Sequence, residues 1–378
     1  MLTVYPEERP ICKSPLRIPL PGAAPGLSGY DPKFMTPPSE PSPEPSPPAG
    51  PRIVDYDSGF DYCAFWGNRD YEHWVEARTL GRLLPRLGRA RWFADFGGGF
   101  GRNSPQYNAV AEHVILVDFS VTQLSRAAER LAPEIQAGKV HLIRADLGQL
   151  PLIDSAVDAA MVVRVLHHMT DLERCLREMS RVVERRWLVD VPIKHHALAR
   201  LRSVRQGTPG RLRGPDPIVT GSTEYPFYTF QLAAVRNCLR LAGFRSHAAA
   251  SVNNFRRWDQ VLLPGIVSGL RPLVYSMELA AQRLGRGWWG PSQFLLATRS
   301  RAQVAQLGAR PSAIAPQLAE LARRTRCPRC HYDLSWSDSD AHCAACGSRY
   351  PRRAGFWDFT VAGAVPPRSV GQLTGPPG

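Results

Sequence analysis

The stretch Arg91-Trp92-Phe93-Ala94-Asp95-Phe96-Gly97-Gly98-Gly99-Phe100-Gly101-Arg102 decides how this chain folds. A β-prone apolar run breaks there into glycines, which let backbone approach a ligand closely at the carboxyl end of a strand. The next β-rich run, Val114–Asp118, ends in an acid 21 residues after Gly97. A carboxylate at that place can accept both hydroxyls of an adenosine ribose. Two ligands fit this much: a nicotinamide or flavin dinucleotide, and an adenosyl cofactor without pyrophosphate.

Spacing separates the two. A dinucleotide fingerprint begun at Gly97 needs glycine where Arg102 stands, and one begun at Gly99 needs glycine where Ser104 stands. The pattern present is Asp-x-Gly-x-Gly-x-Gly, from Asp95 to Gly101.

Outward from the glycines, strands and helices alternate. Asp70 is placed to cap a helix to about Leu84, with Trp74, Leu80, Leu83, Leu84 and Leu87 as its apolar stripe. Strand Arg91–Phe96 precedes helix Ser104–Ala111, with Pro105 suited to a first turn. Strand Val114–Asp118 precedes helix Thr122–Ala132, and strands Val140–Ala145 and Val157–Val163 precede helix Leu172–Val183. Strand Trp187–Val191, helix Gln231–Ala242 and strands Phe244–Val252 and Phe294–Thr298 complete the series. Such alternation predicts an α/β fold, a parallel sheet with helices on both faces.

Further motifs fall at the ends of these strands. Ala145-Asp146-Leu147 with Leu150-Pro151 follows the third, and Arg164-Val165-Leu166-His167-His168-Met169 with Asp171-Leu172 follows the fourth. Arg245 follows the junction Ala242-Gly243-Phe244. In this order, over roughly residues 60–300, the chain resembles the class I S-adenosylmethionine-dependent methyltransferases of the small-molecule type. The resemblance implies a Rossmann-like, doubly wound, mostly parallel seven-stranded sheet. It further implies that Gly97, Gly99 and Gly101 line the methionine part of the cofactor, with Asp95 orienting the amine directly or through water. Asp118 would hold the ribose with Phe119 beside the adenine, Asp146 and Leu147 would read the adenine edge, and Arg164 would sit under the methionine. Plainer roles stay open for three residues: a turn for Gly98, core packing for Phe119, a cap or turn for Asp146.

Methyl transfer from a sulfonium is an in-line displacement with a neutral leaving group, so the protein must align the partners and exclude water. A base is needed only where the acceptor has a proton to lose. His167 and His168 are the nearest candidates by residue type, although such a pair can also simply pack. No Asn-Pro-Pro-Tyr, Asp-Pro-Pro-Tyr or Pro-Cys follows the fourth strand, which argues against chemistry on a flipped base or a pyrimidine ring.

The 378 residues, 44% of them hydrophobic, suffice for two domains at roughly 150 residues each and exclude fibrous or wholly disordered classes. The net charge of +14 comes from 43 Arg and only four Lys (Lys13, Lys33, Lys139, Lys194), scattered along the chain. That balance favours an anionic partner without specifying nucleic acid. After the fifth strand, Lys194, Arg200, Arg202, Arg205, Arg211 and Arg213 occur without an acid, as suits a phosphate- or carboxylate-bearing acceptor or a solvated loop. Tyr225, Phe227, Tyr228 and Phe230 suit an aromatic pocket or ordinary packing, and Val261–Leu284 reads as a cap helix in preference to a membrane anchor. No apolar run reaches spanning length, and Met1–Leu20 lacks the apolar core of a signal peptide, so a soluble cytoplasmic chain is expected.

Residues 1–51 hold 15 of the 35 prolines and are expected to be a disordered arm. Near the other end, Cys327-x2-Cys330 and Cys343-x2-Cys346 are twelve residues apart, a spacing suited to tetrahedral, structural zinc in a reducing compartment. With Tyr350-Pro351 and Gly355-Phe356 this module resembles small zinc-ribbon proteins that bind and activate methyltransferases. It is also similar to the ribbon of certain ribosomal-RNA guanine methyltransferases, which there precedes the catalytic domain. Docking on its own catalytic domain or on a partner protein is the expectation. The organisation read from sequence is therefore an arm (1–51), a methyltransferase-like domain (52–300), a linker helix (301–322), a zinc ribbon (323–360) and a disordered tail (361–378). An enzyme acting on a small metabolite or lipid-like acceptor is the first functional expectation. An RNA methyltransferase and a non-catalytic binding module are the alternatives.

Overall fold

In the computed structural model, strand β1 (Ala90–Phe96) runs through the middle of a large sheet. The structure describes residues 69–221, 226–256, 264–299 and 314–360, together with Asp57, Trp66 and Leu307. Only one residue of β1, Arg91, is exposed, because helices cover both faces of a parallel strand. β2 (Ala111–Asp118) and β4 (Val157–Val162) flank it in parallel, pairing Asp95 with Leu116 on one side and with Met161 on the other. β3 (Val140–Arg144) lies outside β2, and β5 (Val183–Pro192) lies outside β4. β9 (Ser292–Arg299) then runs antiparallel between β5 and β8 (Phe244–Val252). The order β3-β2-β1-β4-β5-β9-β8 reverses direction between β1 and β4. Doubly wound sheets open their ligand crevice at that reversal.

The helices form two layers. α1 (Asp70–Leu83), α3 (Val121–Arg130) and α8 (Pro264–Leu284) share one core with Phe93, Leu116 and Phe294. α5 (Leu172–Val182), α7 (Leu232–Leu241) and α9 (Pro316–Ala322) share the other with Trp92, Val117 and Trp187. Short α2 (Ser104–Tyr107) and α4 (Ala132–Gln136) lie along the chain between β1 and β3, and α6 (Ala197–Arg205) follows β5. Caps set the start of two main helices: Ser120 Oγ accepts the Gln123 N–H and Asp171 Oδ1 the Arg174 N–H, each contact stabilising by about 1 kcal/mol.

Several expectations shift on the structure. Arg69, and not Asp70, is the cap residue of α1, and Asp70 sits in the first turn facing the helix dipole. The helix expected over Ser104–Ala111 is one turn long, because Ala111 pairs with Ala90 as the first residue of β2. A hairpin not foreseen, β6 (Ile218–Gly221) with β7 (Pro226–Thr229), folds over the Leu166–His168 turn. Of the expected Val261–Leu284 run, residues 261–263 lie outside the described residues; α8 (Pro264–Leu284) packs on β8 and bonds α1 through Tyr71 Oη to Glu278 at 2.6 Å. No helix among the described residues is long and apolar enough to cross a membrane.

The cysteine module does not stand apart. β10 (Ser335–Trp336), β11 (Asp340–His342), β12 (Arg349–Arg353) and β13 (Phe356–Asp358) form an antiparallel meander. β13 pairs in parallel with β3, Trp357 opposite Ile143, so the sheet extends to eleven strands. Its Trp336, Tyr350, Trp357 and Phe359 are buried in the same core as Leu176 and Met179 of α5. Each large apolar side chain so placed contributes about 1.5–3 kcal/mol. Arg52–Gly378 is accordingly one compact unit. The expected arm, tail, residues 301–306 and 308–313 of the linker, and Tyr225 lie outside the described residues.

Candidate active site and candidate metal centre

β1 ends where the glycines begin. The Gly97 and Gly98 N–H groups donate to the Val117 carbonyl at 2.7 and 3.2 Å, turning the chain off the strand. Gly97 has φ +71°, and a Cβ there would stand 2.3 Å from Val165 Cγ2, so neither the backbone nor the packing admits a side chain. Gly98 lies over the Asp95 carboxylate, and Gly101 lies against Leu131. Gly99, at φ +54°, is different: a Cβ built on it meets nothing within 4 Å. The turn thus packs its outer glycines against the protein and presents the middle one to open space.

Asp118 closes the corner. Its Oδ2 accepts the Gly99 N–H at 2.8 Å and its Oδ1 the Ser120 N–H at 2.9 Å, so the end of β2 is tied to the glycine turn. Phe119 beside it is half-buried, and its carbonyl accepts the Arg144 Nε–H at 2.9 Å. Asp57 accepts backbone N–H groups of Val121 and Thr122 at 3.0 and 2.9 Å, capping α3 next to this corner. Asp95 is buried at the end of β1, where burial and the neighbouring Asp118 charge push its carboxyl up to about 8, against the pull of Arg102. The Tyr107 hydroxyl lies against it, yet Oδ2 has no partner in hydrogen-bonding geometry.

Past β3, Leu147 is buried and both Asp146 oxygens are engaged. Oδ1 accepts the Gly148 N–H at 2.7 Å and Oδ2 pairs with Arg174 at 3.0 Å, the turn-residue role that sequence left open. Past β4, Arg164 adopts left-handed backbone, φ +58°, and its N–H donates to Asp190 Oδ2 at 3.0 Å. A non-glycine residue held this way marks a site where the surroundings dictate conformation.

The guanidinium of Arg164 belongs to a network that sequence did not reveal. It pairs with Glu72 at 2.8 Å and Glu76 at 2.6 Å, both on α1, and lies 4.9 Å from the Trp66 ring centroid. Arg102 pairs with Glu76 at 2.5 Å and stacks 3.7 Å over the same ring, while Arg69 and Arg256 pair with Glu72 at 2.9 and 2.8 Å. Burial alone would raise the Glu72 carboxyl, but Arg164, Arg256 and Arg69 hold it down at about 2. Among the described residues, four guanidiniums, of Arg69, Arg102, Arg164 and Arg256, meet the carboxylates of Glu72 and Glu76 here. The signal available was the i, i+4 spacing of Glu72 and Glu76 on the inward side of a predicted helix.

His167 and His168 sit together, ring centroids 3.8 Å apart, with Phe227 of β7 stacked on His167 at 4.4 Å. Burial, with Arg164 adding to it, pushes His168 down to about 3, and burial likewise lowers His167 well below the ordinary value. Both imidazoles are therefore neutral and weakly basic, in contrast to the near-neutral pKa expected from residue type.

At the other end of the unit, the sulfurs of Cys327, Cys330, Cys343 and Cys346 all lie within 4.8 Å of one another. Cys327 and Cys346 are 3.6 Å apart and Cys330 and Cys343 3.4 Å, spacings that a tetrahedral ion with bonds of about 2.3 Å would bridge. Tyr350 Oη and Ser348 Oγ lie 3.1 and 3.2 Å from the sulfurs of Cys327 and Cys346, which supplies an outer shell.

Residues 94–186 match the family described as "Methyltransferase domain". A Mycobacterium tuberculosis protein described as a probable S-adenosylmethionine-dependent methyltransferase is 33% identical over 102 residues, 27% of this chain and 35% of that protein. The ubiquinone/menaquinone biosynthesis C-methyltransferase of Vibrio cholerae is 30% identical over 93 residues, 24% of this chain and 36% of that protein. The chain thus spans about a third of the length of the curated relatives it matches. Among solved structures, magnesium protoporphyrin IX methyltransferase from Synechocystis with bound SAH is similar at TM-score 0.39 and 16% identity, over 63% of this chain and 97% of that one. Glycine turn, acid-ended second strand, strand order and matched residues agree: the domain around residues 94–186 is of the class I S-adenosylmethionine-dependent methyltransferase type.

Proposed function

We propose that the chain transfers a methyl group from S-adenosylmethionine to a small-molecule or lipid-like acceptor. The observation that carries this reading is the corner where Asp118 ties down Gly99 while Gly99 itself faces open space at the reversal of the sheet. The residues fit the cofactor. Asp118 has acceptor oxygens for a ribose, Asp95 has a buried oxygen without a partner in hydrogen-bonding geometry for an amine, and the guanidiniums of Arg102 and Arg164 at Trp66 suit a carboxylate. Phe119 and Leu147 supply apolar surface beside them, while Asp146, engaged with Arg174, would reach the adenine edge through its remaining lone pairs.

When bound, the cofactor would supply an activated methyl group. The protein's part is to hold the acceptor in line and keep water out. The β6–β7 hairpin over His167 and His168 gives the acceptor an aromatic, neutral wall. With both imidazoles so weakly basic, they would shape the pocket and accept hydrogen bonds, and an acceptor that loses a proton would release it to solvent as the methylated product leaves the site. The four-cysteine cluster would hold a structural zinc ion, as its all-sulfur ligand set suits, and four free thiols suit a reducing compartment.

Isothermal titration with S-adenosylmethionine, followed by mass spectrometry of cell extract treated with the protein and labelled cofactor, tests the reading. Binding by the native chain, weakened by about tenfold or more in Asp118→Asn, and a labelled acceptor of low mass are expected. Folded protein that does not bind the cofactor would refute it.

A further inference from the structure

We propose that α6 and the Trp288–Trp289 turn form a docking face for the surface of an anionic lipid bilayer. On α6, Leu198, Leu201 and Val204 are 62%, 51% and 67% exposed. At 3.6 residues per turn they fall within about a third of the helix circumference. The Ala197 N–H at the start of α6 donates to the Trp289 carbonyl at 3.2 Å, so the two tryptophans, 44% and 39% exposed, continue the apolar surface beyond the helix. Exposed leucines and tryptophans gathered at one place are a liability in water, and indole rings favour the headgroup level of a membrane.

Charge completes the pattern. Arg200, Arg202, Arg205, Arg211 and Arg213 are all exposed, and no acidic residue occurs from His195 to Pro215. Beside the tryptophans, Arg283 and Arg286 are exposed as well. Burial first, then the charges of Arg283, Arg286 and Arg86, push the Arg82 guanidinium down, so these cations lie near one another. A cavity of about 410 Å³ at α6 has His195, Arg200 and Arg213 in its wall, nitrogen donors suited to a phosphate headgroup. Exposed apolar side chains interleaved with exposed arginines match a helix lying in an anionic lipid interface. RNA would meet the arginines but leave Leu198, Leu201 and Val204 in water, and a second copy of the chain would bring a second set of arginines against the first. The same insertion carries β7 over His167, so docking would set that side of the active site toward the bilayer.

Flotation of the full chain with vesicles of phosphatidylcholine alone, or with about 30% phosphatidylglycerol, tests the proposal. Expected is binding to the anionic vesicles only, weakened about tenfold by Leu198→Gln/Leu201→Gln/Val204→Gln. All three positions are exposed, so that variant should melt like the native chain, and a melting scan verifies this. Brominated lipid should quench tryptophan fluorescence in the native chain and less so in Trp288→Phe/Trp289→Phe. No flotation at low salt, or flotation that the apolar variant leaves unchanged, would overturn the proposal. So would a native dimer that this variant dissociates, or RNA binding without vesicle binding.

Discussion

At the scale of single residues, the glycine turn distinguishes packing from binding. Gly97→Ala would drive Cβ into Val165 in left-handed backbone, at a cost of about 1–3 kcal/mol, so the melting temperature should fall before any ligand is added. Gly99→Ala meets no protein atom and carries only the backbone penalty, about 1–2 kcal/mol. Its methyl group would occupy the space proposed for the cofactor, and titration calorimetry should show the greater loss of affinity there. Equal affinity losses in the two variants, once corrected for stability, would count against the placement of the ligand. Asp95 gives a second test. Its folded value of about 8 lies above the ordinary 3.8, so its contribution to stability is fully present below about pH 4 and is lost as pH rises from there through 8. Between about pH 5 and 8 the ligand-free protein should lose melting temperature, and Asp95→Asn should flatten that slope. The histidines act at the other end: their depressed values mean stability lost as pH falls below about 6.5, at about 1.4 kcal/mol per pH unit for each.

At the scale of elements, what was legible in sequence is what local pattern can encode. β1, β2 and β4 are apolar runs because both faces of a central parallel strand are covered, and their ends carry the motifs. Ser120 and Asp171 are capping residues recognisable by type and position. β13 was not legible: Phe356–Asp358 is too short for a period, and only pairing with β3 makes it part of the sheet. The Glu72, Glu76 and Arg164 network was hidden for a similar reason, since the spacing of the two glutamates is local but their partner lies 88 and 92 residues away. The pairing of β13 carries a chain of contacts toward the corner where the cofactor is proposed to sit. Asp358 Oδ2 accepts from Arg144 Nη1 at 3.2 Å, and Arg144 Nε–H donates to the Phe119 carbonyl at 2.9 Å, with its guanidinium 5.1 Å from the Phe119 ring. Asp358→Asn and Arg144→Ala should each weaken cofactor binding a few-fold, by about 1 kcal/mol, without touching the ligand. In a double-mutant cycle their effects should fail to add. Strict additivity would mean that the ribbon edge and the ribose corner are independent.

At the scale of the whole molecule, the cysteine module and the sheet share one interior, so metal binding and the stability of the domain are linked. Leu152 pairs with Thr325, the Ile153 N–H donates to the Arg324 carbonyl at 2.9 Å, and Arg324 lies 4.5 Å over the Trp92 ring at the heart of the sheet. Gly355, at the β12–β13 turn, comes so close to α3 that a Cβ there would stand 3.2 Å from Ala128 Cβ. A module of this size has little core of its own, and four sulfurs this close would, as thiolates, need a cation to offset their repulsion. With metal bound, the strands that carry Trp336, Tyr350 and Trp357 should melt together with the sheet in a single transition. Chelation, or Cys343→Ser, should open the β3 edge to water and lower the melting temperature by about 5–10 °C. The shift should be accompanied by faster amide exchange around Ile143 and Arg144, where β13 now pairs with β3. If chelation removes the ion yet leaves exchange along β3 unchanged, the eleven-stranded sheet is held by its apolar contacts alone, and the metal serves only the module that binds it.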